Sequence, residues 1–303
     1  MKYAPIAFFV YNRLSHTKKV IKSLKENKLS KDTTIYIFSD GPKSKSDISK
    51  IITIRKFLKK INFFKKIIFK FNKKNLGLSR SLISGIDYVL SKETKIIVLE
   101  DDNKVGNFFL EYMNEALNMY EKHKKITSVS GYVYPIDFKE KKDVTFFIRG
   151  ADCWGWGTWR RAWSHFEKNG KVLKNKILKK NLTYNFNFSG SIDLMQMLQD
   201  QIDKKNDSWA VRWIASNYLK NKLILYPNKS LVQNIGNEGS GTHNLKTNRY
   251  DVKLYNKRFI IKKIKIKENN LMRKKIEKFF YSFSDYYYIL PIIKILKKIF
   301  TYK

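Results

Sequence analysis

The stretch "KIIVLEDDN", residues 95–103, decides how this chain is read. An apolar run passes directly into three carboxylates, Glu100, Asp101 and Asp102. A short continuous apolar run of this kind reads as a strand buried on both faces, hence central in its sheet. The acids then stand in the middle of the sheet's edge. Three adjacent like charges repel one another, and the chain has only 26 acidic residues against 62 Lys and Arg, a formal net charge of +36. Spending three acids in one place implies a local cation. Hard divalent ions such as Mg²⁺ and Mn²⁺ take carboxylate oxygens, often one or two from protein with the rest from water and phosphates. The plainer alternative is a strand end whose acids are solvated or cap the next helix.

Working outward, the first half alternates short β-rich runs with amphipathic segments. "PIAFFVY" (5–11), "TTIYIFSD" (33–40), "KKIIFKFN" (65–72) and "KIIVLED" (95–101) read as strands. Helices are expected from about Thr17, with Ser15 as its cap, then near 46–59, over "GLSRSLISGIDYVLS" (77–91) and over 108–122, before "ITSVSGYVY" (126–134). Repeated strand–helix–strand units imply right-handed crossovers and a mostly parallel sheet covered on both faces. Ligands bind beyond the carboxyl ends of such strands. That rule gathers Asn12, Arg13, Asp40, Asn75 and Glu100–Asp102 along one rim.

Across 303 residues, 43% hydrophobic and 15% aromatic, there is ample material for a core. The single cysteine, Cys153, excludes an internal disulfide and a cysteine-rich zinc site. The apolar run before Asn12 is too short for a signal peptide or a membrane span, and no other stretch reaches spanning length. These features point to a cytoplasmic protein, with attachment to an anionic membrane surface left open. The basic charge itself fits nucleic acid, an anionic membrane, an anionic substrate such as a nucleotide sugar, or simply a Lys-rich genome. No Gly-x-x-x-x-Gly-Lys loop is present, which disfavours a P-loop nucleotidase.

The second half differs in character. "FFIRGADCWGWGTWRRAWSHF" places four of the six Trp within ten residues. Trp156, Trp159 and Trp163 fall at helical spacing, which argues for core, whereas Gly155 and Gly157 would allow close backbone approach to a ligand. Helical segments are expected near 191–203 and 208–221, then the strand "KLILYP" and the Gly-rich loop "LVQNIGNEGSGTHN". The basic-aromatic residues 272–303 read either as an amphipathic helix on an anionic membrane or as a cap on the domain.

Taken in order and spacing, "FVYNR", "IFSDGPK", "NLGLSRSLISG" and "VLEDDN" resemble glycosyltransferases of the GT-A fold. The resembled groups are the bacterial family-2-like sugar transferases and N-acetylglucosaminyltransferase I. The likeness continues through "WGWGTWRRAW", "DSWAVRW" and "LVQNIGNEGSGTH", so it covers roughly residues 4–245. It implies an α/β GT-A fold, a mostly parallel Rossmann-like sheet with helices on both faces and a helical C-terminal extension. It implies a catalytic domain over 1–250, with a nucleotide-sugar half (1–135) and an acceptor half (136–250), followed by the tail 251–303.

The same resemblance implies roles. Tyr11, Asn12 and Arg13 would line the nucleotide pocket, and Asp40 would bond the base or ribose. Asn75, Gly77 and Arg80 would approach the nucleotide, Arg80 pairing with a phosphate. Asp102, with Asp101, would ligate Mn²⁺ or Mg²⁺, Glu100 lying nearby. Trp154 and Trp156 would stack on sugar, and His243 would close over the diphosphate. An inverting transfer needs a carboxylate base. The second half offers Asp152, Asp193, Asp200, Asp203, Asp207 and Glu238, with Asp207 first and Asp152 second.

The expectation is thus a metal-dependent, inverting hexosyl- or N-acetylhexosaminyl-transferase of bacterial surface polysaccharide synthesis. It would take a nucleotide-diphosphate sugar and a glycan or lipid-linked glycan acceptor, at or near the inner face of the plasma membrane. The rival classes are a non-catalytic nucleotide-sugar-binding module and a basic nucleic-acid-binding protein. Against the last, Lys is spread along the whole chain and no recognised nucleic-acid module is present.

Overall fold

The computed structural model describes residues 3–150, 152–238 and 247–282. Its first half is β1 (Ile6–Val10), α1 (Leu14–Lys25), a 3-10 turn, β2 (Thr34–Ser39), α2 (Lys45–Lys59), β3 (Lys66–Phe71), α3 (Leu78–Lys92) and β4 (Lys95–Glu100). The second half is β5 (Asn103–Val105), α4 (Phe109–Met119), β6 (Ile126–Ser130), β7 (Thr145–Ile148), β8 (Trp156–Trp159), α5 (Arg160–Trp163), α6 (Gly170–Lys179), α7 (Thr183–Phe186), α8 (Leu194–Ile202), α9 (Ala210–Leu219), β9 (Leu223–Pro227) and β10 (Val232–Asn234). A further helix, α10, covers 270–282.

The fold is α/β around an eight-stranded sheet ordered β3-β2-β1-β4-β8-β6-β9-β7. From β3 to β4 all pairings are parallel. Beyond β4 the expectation of parallel strands gives way to a mixed arrangement, because β8 runs antiparallel to both β4 and β6. β9 is again parallel to β6, so β6 and β9 point the same way as β1–β4. The carboxyl ends of those six strands therefore share one edge with the start of β8.

Chain direction reverses within the parallel half. β1, β2 and β3 are laid down outward in one direction, and α3 then carries the chain back past them so that β4 pairs with the other side of β1. Right-handed crossovers put the outward and returning helices on opposite faces. The crevice opens where the order reverses, between β1 and β4. Tyr11–Arg13 follow β1 and Glu100–Asp102 end β4, so the sheet's own topology brings these two segments together.

Burial explains the strand reading: β1 is buried at every position, and Ile96–Leu99 of β4 are buried in succession. Two local expectations change. Arg13, not Ser15, occupies the N-cap position of α1, and it caps without its side chain. The helical spacing of Trp156, Trp159 and Trp163 is coincidental for the first two, which lie on β8; only then does α5 begin. Trp156, Trp163, Trp209 and Trp213 nevertheless form one packed cluster, with Trp156 stacked on Trp209 at 5.4 Å.

Residues 247–282 pack onto this body. Phe259 and Ile261 are buried, and α10 presents Met272, Ile276 and Phe280 to the core. The remainder of the basic-aromatic tail, 283–303, lies outside the described residues. Truncating Ile276 to Ala should cost about 3 kcal/mol, the range for a buried aliphatic. A urea-unfolding midpoint unchanged in Ile276→Ala would show that α10 does not contribute to the core.

Candidate functional site

Two of the three carboxylates meet a single guanidinium. Arg13, standing at the start of α1, donates through Nη2 to Asp101 Oδ1 and, at 2.8 Å, to Asp102 Oδ2. The Asp101 side chain is 6% exposed and that of Asp102 15%, so Asp102 is the more open of the two. Arg13's second terminal nitrogen, Nη1, is buried without a partner among the described residues.

One cation does not balance three acids. Burial first, then Asp102 and Asp101, push the Glu100 carboxyl up to about 8 against the pull of Arg13. Burial likewise raises Asp101, although Arg13 opposes it. Burial also works against the Arg13 charge, and the two aspartates outweigh it, holding the guanidinium firmly protonated.

Two short strands shape the acids' surroundings. β5 pairs antiparallel with β10, matching Asn103 with Asn234. Asn103, fully buried, accepts from the backbone N–H of Glu100 (3.2 Å) and of Gly155 (3.1 Å), and donates to Asp102 Oδ1 (2.8 Å). It bolts the acid turn to the Trp-Gly segment. Ile235 N–H donates to the Asp102 carbonyl at 2.8 Å. At Gly236 a Cβ would lie 2.5 Å from Asp102 Oδ2 and 3.0 Å from Arg13 Nη1, so only glycine fits against the acids there. Glu238 pairs with buried His16 at 3.0 Å and secures this loop.

The nucleotide-side residues are gathered at the same edge but largely engaged with protein. Asp40 accepts from Gly41 N, Asn72 Nδ2, Leu76 N and Gly77 N at 2.9–3.1 Å, and is 6% exposed. Both its oxygens are taken up in shaping the loop before α3, which departs from the expected contact with a base or ribose. Asn75 folds back onto Gly41 O and Gly77 N. Tyr11 and Asn12 both donate to Asp47, at 3.0 and 2.8 Å. Bonds from Asn12, Ser44 and Tyr11 hold the Asp47 carboxyl down at about 2. Arg80 is exposed on the first turn of α3.

Asp47 and Arg55 lie in none of the quoted motifs, and Asn103, although it ends "VLEDDN", was given no role from the sequence. Arg55 reaches the carbonyls of Ser39, Asp40 and Asn72 at 2.8–3.0 Å and lies over the Phe71 ring, clamping the ends of β2 and β3. Only the Ser-x-x-Asp pattern at 44–47 hinted at Asp47, as half of a capping box.

Asp207 does not cap the helix that follows it. Its Oδ2 accepts from Ser79 N at 2.9 Å in the first turn of α3, while Ser208 Oγ accepts from Val211 N at 3.3 Å at the start of α9. Gly77, at φ 80°, lies against the same oxygen. Among the described residues Asp207 Oδ1 has no hydrogen bond, and Asp207 is exposed.

Asp152 is 7% exposed and bonded by Tyr134; burial pushes its carboxyl up to about 6. Asp193 caps α8, while Asp200 and Asp203 bond glutamines of the same helix. Trp156 is fully buried and cannot stack on a sugar, which corrects the expectation for it. Gly155 and Gly157 face Val232 and Met113, not open space. Trp154 remains half-buried, edge-on to Tyr132 at 4.8 Å and Tyr250 at 5.6 Å. His243 lies outside the described residues.

Among the described residues no three His, Cys, Asp or Glu side chains converge as a closed metal site requires. The donor set instead fits a hard cation held by one or two carboxylates, its other positions going to water and phosphate. The observation in favour is the Glu100 carboxyl, raised by burial first and then by Asp102 and Asp101, which Arg13 only partly offsets.

No protein-family model and no curated protein matches the sequence. Solved structures similar in part include the mannosyltransferase PcManGT from Pyrobaculum calidifontis in complex with GDP-Man and Mn²⁺. It is 12% identical, with a TM-score of 0.31 over 44% of this chain and 36% of that one. S. aureus TarS is 14% identical, with a TM-score of 0.31 over 45% of this chain and 24% of that one. A Desulfovibrio desulfuricans G20 protein described as a nucleotide-diphospho-sugar transferase is 11% identical, with a TM-score of 0.35 over 56% and 69%. The chain thus spans well under half of the first two structures, and likeness of this extent carries no argument about activity.

Two outcomes follow from the charge balance. Folded, metal-free protein keeps the Glu100 proton up to about pH 8, whereas the unfolded chain releases it near 4.5. Between those values the folded state binds the extra proton, so stability falls as pH rises. Asp152 adds to the fall up to about pH 6. Thermal midpoints measured in chelator should show a shallower decline in Glu100→Gln; an identical slope would place the raised group elsewhere. Removing the guanidinium in Arg13→Gln should cost about 2–3 kcal/mol in chelator, since Asp101 and Asp102 lose their counter-ion. Mn²⁺ should restore most of that loss, and a variant as stable as its parent would contradict the pairing.

Proposed function

We propose that the chain is a GT-A glycosyltransferase that moves a hexosyl or N-acetylhexosaminyl group from a nucleotide-diphosphate sugar to a glycan or lipid-linked glycan, with inversion. The observation that carries this reading is the under-neutralised Glu100-Asp101-Asp102 turn at the β1/β4 reversal, at the sheet edge where Asp207 also meets the first turn of α3, its Oδ1 without a hydrogen bond among the described residues. A cation site and a carboxylate base at one edge suit displacement of a diphosphate by a hydroxyl.

Asp102 and Asp101 would hold the divalent cation, which supplies charge stabilisation to the departing diphosphate. The protein's own groups divide the remaining work. Arg13 carries a buried, unpaired N–H beside these acids, a donor suited to a phosphate oxygen. Tyr11 and Asn12, fixed by Asp47, and the loop shaped by Asp40 and Arg55 frame the nucleotide. Asp207, oriented by the Ser79 N–H, takes the acceptor hydroxyl's proton at Oδ1. The acceptor oxygen forms its bond to the anomeric carbon as the bond to the diphosphate oxygen breaks, the electron pair leaving with the diphosphate. Trp154 offers its exposed part to the sugar. Buried Asp152, bonded to Tyr134, acts as a positioning residue for the Trp154 turn. A role in bacterial surface polysaccharide synthesis at the inner face of the plasma membrane fits the basic surface. Among the described residues no helix is long and apolar enough to cross a membrane.

Incubating a panel of nucleotide sugars with Mn²⁺ should release nucleotide from one donor. Release should vanish with chelator and fall at least 100-fold in Asp102→Ala. Asp207→Asn should keep donor binding and lose transfer at least 100-fold, since a general base contributes about 10²–10⁴-fold. Metal-dependent donor binding without turnover under any acceptor would instead identify a non-catalytic binding module.

A further inference from the structure

The segment "DSWAVRW" that carries Asp207 also carries a cation, Arg212, on α9. Asp207 is exposed, whereas Arg212 is only 7% exposed. The hydrogen bonds of its guanidinium all go to uncharged oxygens. Nε donates to Ser208 O at 3.3 Å, Nη1 to Lys168 O at 2.9 Å, and Nη2 to the Ser79 hydroxyl. Burial works against this charge, and the acid that opposes the effect is Asp207. A buried cation bonded to neutral oxygens alone is costly to keep.

The acceptors show where that cost is applied. Ser79 donates its N–H to Asp207 Oδ2 at 2.9 Å, and its hydroxyl is the group that Arg212 Nη2 holds. Ser208, whose carbonyl takes Nε, follows Asp207 in the chain. Hydrogen bonds and chain therefore close a ring through Asp207, Ser79, Arg212 and Ser208. The Lys168 contact ties that ring to the segment between α5 and α6. Asp207 Oδ1 stands outside the ring, without a hydrogen bond among the described residues. A lysine or glutamine at this position could reach one of the three oxygens; the rigid fork of a guanidinium spans them all. Arg55 and Arg161 also tie backbone carbonyls together, but both are half-buried and neither bonds a residue that holds Asp207.

We infer that Arg212 is a positioning residue for the transfer, fixing Asp207 through Ser79 and Ser208 so that Oδ1 is presented to the acceptor hydroxyl. The inference rests on the reading of Asp207 as the base and names the group that holds it in place. Misplacing a reacting group by about 1 Å can cost about 100-fold in rate.

The test uses full-length protein with Mn²⁺ and three donors, UDP-N-acetylglucosamine, UDP-glucose and GDP-mannose, following nucleotide release to water. Arg212→Gln should lower kcat at least 30-fold with the donor KM within threefold of wild type. Because Arg212 acts through Asp207, adding Arg212→Gln to Asp207→Asn should cost no more than a further twofold. An arginine that merely holds the fold would lower kcat by the same factor in either background. Ser79→Ala keeps the N–H and removes only the tethering hydroxyl, so it serves if Arg212→Gln does not fold; it should lower kcat at least fivefold.

A second readout needs no turnover. An N–H in the first turn of a helix has no acceptor within that helix, so exchange of the amide at position 79, followed by NMR, reports its bond to Asp207. Exchange should quicken at least tenfold in Arg212→Gln and in Ser79→Ala, while the amides of β1 and β4 keep their wild-type rates. Faster exchange in a protein that turns over no donor would leave the hold on Asp207 standing and sink the transferase reading. Three results would overturn the inference: kcat within twofold of wild type in both single variants, a full additive loss in the double variant, or unchanged exchange at position 79.

Discussion

The contact of Arg13 with Asp101 and Asp102 is the interaction on which the working edge of the sheet depends, because it is what lets a central strand end in three acids. A carboxylate removed from water needs a partner or it takes up a proton instead. Arg13 supplies one partner, and burial, aided by repulsion among the acids, still raises the Glu100 and Asp101 carboxyls. The turn is therefore folded yet electrostatically incomplete. A divalent cation would complete it, and with that cation the diphosphate that supplies its other oxygens.

Around this turn the protein spends its polar groups on rigidity. Asp40, Asp47 and Arg55 hold the ends of β1, β2 and β3 against one another, so this part of the edge is shaped by the protein's own bonds. Asn103 does the same for the other side, carrying the position of the acid turn directly into the Trp154 segment. Asp207 reaches from the second half of the chain to the first turn of α3, so the two halves are joined there by one hydrogen bond. Such preset geometry suits a reaction whose barrier is lowered by positioning and by fixed charge.

Much of the first half was legible in the sequence because apolar runs and amphipathic segments alternate there without interruption, and the helix-crossover rule then orders the strands. The rim positions of Arg13, Asp40, Asn75 and the acids followed from strand ends alone. Their partners did not: a carboxylate after a strand looks the same whether it awaits a ribose or, like Asp40, is saturated by backbone N–H groups from a distant loop. β5 and β10 are three residues each and pair only with one another, so no local pattern marks them. Trp156, Trp159 and Trp163 carried a helical spacing that a strand followed by a short helix reproduces by chance. Asp207 was found through its Trp-flanked segment, but the helix it caps could be known only from the folded chain.

The most direct measurement is a Mn²⁺ titration followed by electron paramagnetic resonance, with and without a nucleoside diphosphate, on wild type and Asp102→Asn. This account predicts Mn²⁺ binding by wild type that tightens at least tenfold with the nucleotide and is lost in the variant. Wild type that leaves Mn²⁺ free in the presence of nucleoside diphosphate, or an Asp102→Asn variant that binds it equally well, would contradict the assignment of the Glu100–Asp102 turn as a cation site.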